Sequence, residues 1–261
     1  MQHADQRLRE GDLDGARAAV MEAVRSSPGD PGARMFLFQL LCVTGEWDKA
    51  RRQLETLAQL SPEARMLSVA YGQAIEAEKV RSEIFAGRAQ APVLAGGSWS
   101  AGITQALQHF ENGDIDAGEA ARMEALDAAP DTPGDLDGTP FEWIADADPR
   151  FGPCFEAIVG GRYGLIAFDA VEHIVSEGPR DLRDIVWYPV EIAFRQGTSA
   201  AALLPARYPS SEVSPNARER LARSTGWEER PSGAVGKGQH LWMLSSEEER
   251  GLLSTRTLTF D

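Results

Sequence analysis

The stretch Gly11-Asp12-Leu13-Asp14-Gly15-Ala16 recurs further along the chain as Gly45-Glu46-Trp47-Asp48-Lys49-Ala50. A third copy is Gly113-Asp114-Ile115-Asp116-Ala117-Gly118, and its distance from the second copy is twice the distance between the first two. A proline follows the first glycine of each copy at one constant spacing, at Pro28, Pro62 and Pro130. Self-similarity at a fixed period predicts a repeat array of stacked supersecondary units.

Each copy carries the signals of two helices joined by a turn. The glycine suits the left-handed position that ends one helix, and the acidic residue after it favours the start of the next helix by capping and through the helix dipole. The proline then ends the second helix. Small residues at the same place in each copy, Ala16, Ala50 and Gly118, allow close helix approach. A helix pair with a period of about 34 residues resembles the tetratricopeptide repeat; an ordinary helical bundle with a chance period is the alternative.

The repeat register fails between the second and third copies. Residues 63–86 are predicted to form one long helix, which ends at Gly87-Arg88-Ala89-Gln90-Ala91-Pro92. Gly96-Gly97-Ser98 then leads into a helix over about 99–111. The array is therefore short and irregular, and arrays of this kind typically hold a peptide or helix on a concave face.

The composition changes after Pro130, where residues 131–140 are rich in turn formers and predict a junction. We expect a helical domain over 1–130 and a second domain over 131–261. Strands are predicted at 163–168, 171–175, 189–195, 201–205, 240–244 and 252–260, with a hairpin tip at 196–197 and a short helix at 153–159. The fold class is α+β: a tetratricopeptide-like helical half, then a smaller, mostly antiparallel, curved β domain with short helices.

The charge balance excludes some functions. With 26 Lys+Arg and 40 Asp+Glu, the chain carries a formal charge of −14, which argues against general nucleic-acid binding and against docking on anionic lipid. Two cysteines make neither a disulfide framework nor a metal cluster. Residues 1–7 contain no apolar signal segment, and no run approaches the ~18 apolar residues that would predict a membrane span. A cytoplasmic protein is expected.

Motifs for catalysis or cofactor binding are incomplete. The four histidines, His3, His109, His173 and His240, have no paired metal-ligand spacing, and each is interpreted as structural or exposed. Ser98-Trp99-Ser100-Ala101-Gly102 lacks the first glycine of a nucleophile elbow. Gly233-Ala234-Val235-Gly236-Lys237-Gly238 is too short for a phosphate-binding loop and favours a glycine-rich hairpin. No catalytic residue, metal or cofactor is predicted.

Three acids, Glu142, Asp146 and Asp148, could do general acid–base work or bind a divalent cation. On a helix, Glu142 and Asp146 would share one face, but Pro149 ends any helix there. The favoured interpretation is that these acids cap helix ends or contact a partner protein.

The segment Asp181-Leu182-Arg183-Asp184-Ile185-Val186-Trp187 alternates charge with apolar side chains. One interpretation is a short helix that covers the sheet, with Leu182, Ile185 and Val186 inward. The other is a partner surface anchored by Trp187, because Trp and Arg dominate binding hot spots.

Several ordered motifs carry a resemblance that extends over almost the whole chain. They are Ala77-Glu78-Lys79-Val80-Arg81, Asp137-Gly138-Thr139-Pro140-Phe141-Glu142-Trp143-Ile144-Ala145-Asp146-Ala147-Asp148, Gly160-Gly161-Arg162-Tyr163, Pro179-Arg180-Asp181-Leu182-Arg183-Asp184-Ile185-Val186-Trp187, Arg207-Tyr208-Pro209 and Thr225-Gly226-Trp227. Together with the repeat half, they resemble the ImpE/TagJ family, also called SciE-type. The pattern departs at Tyr163-Gly164, where a bulkier residue is expected after the tyrosine.

The resemblance implies a cytoplasmic, non-enzymatic accessory protein of the bacterial type VI secretion system. It implies binding to the small subunit of the contractile sheath and a link to the ClpV-type ATPase that disassembles contracted sheath. The repeat half and the negative charge add the hypothesis that a groove captures an amphipathic helix of that subunit, its terminal helix. The candidate partner-binding residues are Glu142, Trp143, Asp146, Asp148, Arg183, Asp184, Trp187, Arg207, Tyr208 and Trp227. The alternatives are a metal-dependent hydrolase or nucleotide-binding enzyme that uses the acids of the second half, and a repeat scaffold or chaperone of another secretion apparatus.

Overall fold

The computed structural model describes residues 2–60 and 62–261. The helices precede most of the strands, and seven of the eight described helices lie in the first half of the chain. In chain order they are α1 (Gln2–Glu10), α2 (Leu13–Ser26), α3 (Pro31–Val43), α4 (Trp47–Leu60), α5 (Pro62–Ile84), α6 (Ser100–Glu111), α7 (Ile115–Ala128) and α8 (Ala217–Arg220). The pairs α1–α2, α3–α4 and α6–α7 meet at the three repeated glycines, and α5 is the long helix that the sequence predicts.

The repeat signals act locally as expected. Gly11, Gly45 and Gly113 all have a positive φ, between 68° and 84°, which ends each first helix in the left-handed region. The carboxylate of Asp12 accepts a hydrogen bond from the backbone N–H of Gly15 at 2.8 Å and caps α2. Gly118 is required by packing, because a Cβ there would lie 2.4 Å from the Phe110 ring. The helical repeat half is therefore confirmed.

The described strands form three sheets. They are β1 (Val93–Ala95), β2 (Gly134–Leu136), β3 (Thr139–Phe141), β4 (Ile144–Asp146), β5 (Cys154–Val159), β6 (Arg162–Ala167), β7 (Val171–Val175), β8 (Trp187–Phe194), β9 (Ser199–Pro205), β10 (Thr225–Arg230), β11 (Gly233–Gly238), β12 (Leu241–Leu244), β13 (Glu249–Gly251) and β14 (Thr257–Phe260). The largest sheet has the order β1-β6-β5-β9-β8-β7-β14-β2-β3, and β13-β12-β4 and the hairpin β10-β11 form the others. Only β1–β6 is parallel among the described strand pairs, so the mostly antiparallel β half is confirmed.

Two predictions of secondary structure are wrong. Residues 153–159 are not a short helix: Cys154–Val159 is strand β5, paired with both β6 and β9. Because this strand is buried on both faces, its apolar run lacks the alternation that would mark a strand. Residues 252–260 are not one strand, because a 3-10 helix over Leu252–Ser254 precedes β14. The hairpin at 196–197 is confirmed, with Gly197 at a φ of 83°.

The two halves are physically joined. Strand β1 belongs to the helical half but pairs with β6 of the large sheet, and the N–H of Leu165 donates to the carbonyl of Pro92 at 2.9 Å. A Cβ on Gly164 would lie 2.5 Å from that carbonyl oxygen, so glycine is needed where β1 approaches. The turn-rich residues 131–140 hold β2 and part of β3. The division at residue 130 stays a prediction.

The buried apolar side chains of the described residues form two cores. The first combines the inner faces of α2 to α7 with one face of the large sheet, including Trp187 and Tyr208. The second lies between the other face of that sheet and β12, with Trp242 and Phe168 in edge-to-face contact. The first core therefore fixes the repeat helices against the β half. None of the described helices combines the length and the apolar character of a membrane span.

Candidate functional site

A buried set of charged and aromatic side chains ties α5 to the β half. We call it the seam cluster; its members are Arg81, Asp146, Glu156, Tyr163, Tyr208 and His240. Arg81 of α5 donates two parallel hydrogen bonds to Glu156 of β5, Nε to Oε1 at 2.6 Å and Nη2 to Oε2 at 2.7 Å. Its Nη2 also donates to the main-chain oxygen of Arg207 at 2.8 Å. A bidentate, charge-assisted pair of this kind fixes both direction and distance between the two elements.

His240 lies between two carboxylates of the cluster. Its Nδ1 is 2.7 Å from Asp146 Oδ2 and its Nε2 is 2.9 Å from Glu156 Oε2. Burial by itself would lower the pKa of His240, but the neighbouring Asp146 and Glu156 carboxylates raise it to about 9. The imidazole is therefore protonated at neutral pH, and both ring nitrogens donate. Burial also opposes ionisation of Glu156, yet Arg81 and His240 hold its pKa far below its ordinary value.

Two tyrosines complete the hydrogen bonding of the same carboxylates. The hydroxyl of Tyr163 donates to Glu156 Oε1 at 2.5 Å, and that of Tyr208 donates to Asp146 Oδ1 at 2.8 Å. Burial, reinforced by these carboxylates, raises the pKa of both tyrosines well above its ordinary value, so they remain donors. The ring of Tyr208 also packs on His240, with centroids 3.9 Å apart. Because each of these groups has its partner inside the cluster, the cluster acts as a structural tie between the halves.

The third predicted acid, Asp148, belongs to an ion pair next to the seam cluster. Arg150 Nη2 lies 2.8 Å from Asp148 Oδ2, and its Nη1 lies 3.0 Å from Glu111 Oε1 at the end of α6. The N–H of Gly236 in β11 also donates to Asp148, at 2.9 Å. Asp148 thus connects α6 with the β10–β11 hairpin. Among the described residues, no group of three or more His, Cys, Asp or Glu side chains is arranged to hold a metal ion.

The charged segment before β8 fills one face of the repeat half. Leu182–Ile185 is a 3-10 helix that packs on α3. Trp187 is fully buried, with its ring centroid 5.7 Å from that of Trp47 and 5.8 Å from that of Tyr71. Its Nε1 donates to Glu78 at 2.9 Å. Of the two interpretations, the structure therefore shows the short helix packed against the rest of the molecule, with Trp187 buried and not an exposed anchor.

The charged members of this segment also make internal contacts. The guanidinium carbon of Arg183 is 4.6 Å from the centroid of the Tyr71 ring, and its Nη2 pairs with Asp181 at 2.5 Å. Asp184 is buried and accepts hydrogen bonds from the N–H groups of Arg180 and Asp181, at 2.6 and 3.1 Å. The repeat half therefore binds a peptide-like segment of its own chain on the face formed by α3 and α5.

The remaining predicted residues divide by exposure. Arg207 is buried, and its Nη1 donates to the carbonyl of Val43 at 2.8 Å. Glu142, Trp143 and Trp227 are exposed, and Trp227 leans on Tyr208 with ring centroids 5.8 Å apart. Glu142 lies before strand β4 and not on a helix, so it does not join Asp146 inside the molecule.

An apolar groove runs between the first half of α5 and the large sheet. We call it the α5 groove; it has a volume of about 420 Å³. Its lining residues are Leu67, Ala70, Tyr71, Gln73, Ile158, Gly160, Gly161, Pro189, Val190, Ala201, Ala202 and Leu203. Next to it on α5, Met66 is 81% exposed and Val69 is 64% exposed. The groove and these exposed apolar side chains together are a candidate interaction surface.

Sequence comparison places these features in a family. Residues 138–259 match the profile of the ImpE protein family, and residues 7–70 match a tetratricopeptide repeat. The chain is 40% identical over 260 residues to the type VI secretion system accessory component TagJ of Pseudomonas aeruginosa strain PAO1, a match that covers 99% of this chain and 91% of that protein. This chain belongs to the ImpE/TagJ family. The fold is also similar to the crystal structure of protein VPA1032 from Vibrio parahaemolyticus, with a TM-score of 0.87 at 21% identity, over 99% of this chain and 97% of the other.

In this ImpE/TagJ protein, the centre of the seam cluster is the part that sequence reasoning misses. His240 has a structural role, which is one of the two roles that the sequence suggested for it. No spacing motif, however, links it to Asp146 or Glu156. Those partners lie 94 and 84 residues away along the chain. Arg81 and Glu78 lie in one of the motifs that carry the family resemblance. That motif is the feature of the sequence that could have pointed to them as candidate residues.

Proposed function

We propose that this protein is a non-enzymatic, cytoplasmic accessory component of the type VI secretion system. In this proposal it binds the small subunit of the contractile sheath and links it to the ClpV-type disassembly ATPase. The observation that carries the proposal is the nearly full-length similarity to the Pseudomonas aeruginosa accessory component TagJ. A repeat half supports a protein partner, since arrays of helix pairs commonly bind peptides and helices.

We place the sheath subunit's terminal helix in the α5 groove. The groove is lined mainly by apolar side chains, and an amphipathic helix buries its apolar stripe in such a surface. The face of the array formed by α3 and α5 is already filled by Trp187 and the residues before it. Among the predicted partner-binding residues, the exposed Glu142, Trp143 and Trp227 remain accessible to the rest of the sheath subunit or to the ATPase.

A calorimetric titration with a synthetic peptide of the sheath subunit's terminal helix tests the proposal. Val69→Asp puts a charge beside the α5 groove on an exposed site, so the fold is kept and we expect at least tenfold weaker binding. Val213→Asp is the matched control, because Val213 is 74% exposed on a different element. No heat of binding at about 100 µM peptide contradicts the proposed partner, whereas equal binding by both variants contradicts only the proposed location.

A further inference from the structure

A second cavity, which we call the Glu78 pocket, lies beside the seam cluster and apart from the α5 groove. It is bounded by the start of α4, the second half of α5 and the loop after β9, and its volume is about 150 Å³. Trp47 and Phe85 supply its aromatic walls, while Glu78 and Arg81 lie at its buried end. Ser82 is exposed at the mouth. At about 30 Å³ per water molecule, the pocket has room for one side-chain head group.

Glu78 is a buried carboxylate that lacks a full set of donors. Its Oε1 accepts a hydrogen bond from Trp187, but among the described residues Oε2 receives none. Arg81 Nη1 lies 3.5 Å from Oε2, which is longer than an ordinary charge-assisted hydrogen bond. Burial outweighs the effect of Arg81 and raises the pKa of Glu78. This oxygen, with Arg81 as its neighbouring cation, can still accept a hydrogen bond from a group that enters the pocket.

The charges around the pocket favour a cation over an anion. Glu212 also lines the pocket, so two of its lining residues are acids. Arg81 is the lining cation, but its charge is already matched by the bidentate pair with Glu156. Arg207 lies near both acids and donates to main-chain oxygens of Val43 and Arg220. With Arg81 matched by Glu156, the two acids of the pocket share the single charge of Arg207, which leaves the described surroundings of the pocket net negative.

We propose that the Glu78 pocket binds a guanidinium group, such as the head group of an arginine side chain. The guanidinium N–H groups donate to Glu78 Oε2 and to Glu212, and the aliphatic stem lies against Trp47 and Phe85. A planar cation with several donors and a weakly hydrated face suits a pocket made of carboxylates and aromatic rings. The source is either an arginine of a protein partner or a small guanidinium compound.

Titration with acetyl-arginine amide, followed by calorimetry or by NMR, tests this site on the full chain. We expect a dissociation constant on the order of 1 mM, which corresponds to about −4 kcal/mol. Glu78→Gln keeps the acceptor for Trp187 and removes the charge, so binding should weaken at least tenfold. Glu76→Gln is the matched control: Glu76 is an exposed acid on the same helix, paired with Arg51, and its substitution should leave binding unchanged.

The other arms separate the possible outcomes. Acetyl-glutamine amide should not bind, and free arginine that binds more tightly than the blocked amide identifies a small-molecule source. Equal or tighter binding of the blocked amide identifies a polypeptide side chain. If Glu78→Gln does not fold, Glu212→Gln takes its place with the same expected loss. No binding of the arginine amide at about 50 mM, unchanged binding in both variants, or binding of inorganic phosphate instead overturns the proposal.

Discussion

The charge state of His240 predicts a distinctive pH dependence of stability. The ordinary pKa of 6.5 applies in the unfolded chain, whereas Asp146 and Glu156 raise the pKa to about 9 in the folded protein. The folded state therefore holds the proton more tightly, and this stabilisation is fully present below about pH 6.5. It is lost as the pH rises towards 9 and is absent above that. The difference between the two pKa values corresponds to roughly 3 kcal/mol.

His240→Gln removes this contribution and serves as the reference. Urea unfolding followed by far-UV circular dichroism should be measured for both proteins at intervals between about pH 6 and pH 10. We expect the stability difference between wild type and variant to fall by roughly 3 kcal/mol from the acidic to the alkaline end of this range. His3→Gln, at an exposed histidine of α1, should reproduce the wild-type curve. Parallel curves for wild type and His240→Gln would refute the charged-histidine account.

Three further substitutions test the packing. Arg81→Leu leaves Glu156 buried without its main cation, so we expect it to lower the free energy of unfolding by about 3–5 kcal/mol in a urea titration. The control Arg88→Leu removes an exposed ion pair and should lower it by less than about 1 kcal/mol. Trp187→Ala should lower the free energy of unfolding by about 3–5 kcal/mol and reduce the near-UV circular dichroism signal. The control Trp143→Ala should change stability little. Equal effects of the two substitutions would contradict the buried position of Trp187. Gly164→Val should detach β1, seen as faster hydrogen exchange at the amides of 93–95. Unchanged exchange there would show that the close approach is not required.

The helical half could be predicted because its signals are local. A glycine at each turn, an acidic residue after it and a proline at a constant spacing determine where helices begin and end, whatever the rest of the chain does. The glycines at 11, 45 and 113 all adopt the positive φ that this requires. Strand β1 could not be predicted in the same way. It is very short, and it is defined by pairing with β6, which lies in the other half of the chain.

The seam cluster shows why sites of this kind are hard to find in a single sequence. Arg81, Glu156 and His240 come from separate parts of the chain, and their chemistry arises from burial that no short motif encodes. Trp187 illustrates the converse difficulty. A tryptophan next to charged residues is compatible with a binding anchor or with a core residue, and only the position of Trp47 and Tyr71 around it decides for the core.

Mixing purified components decides whether this protein binds the type VI sheath through one terminal helix. The small sheath subunit, intact or without its terminal helix, is combined with this protein and analysed by size-exclusion chromatography with light scattering. We expect a stable complex with the intact subunit and none with the truncated one. No complex with the intact subunit, or the same complex with both, would contradict it.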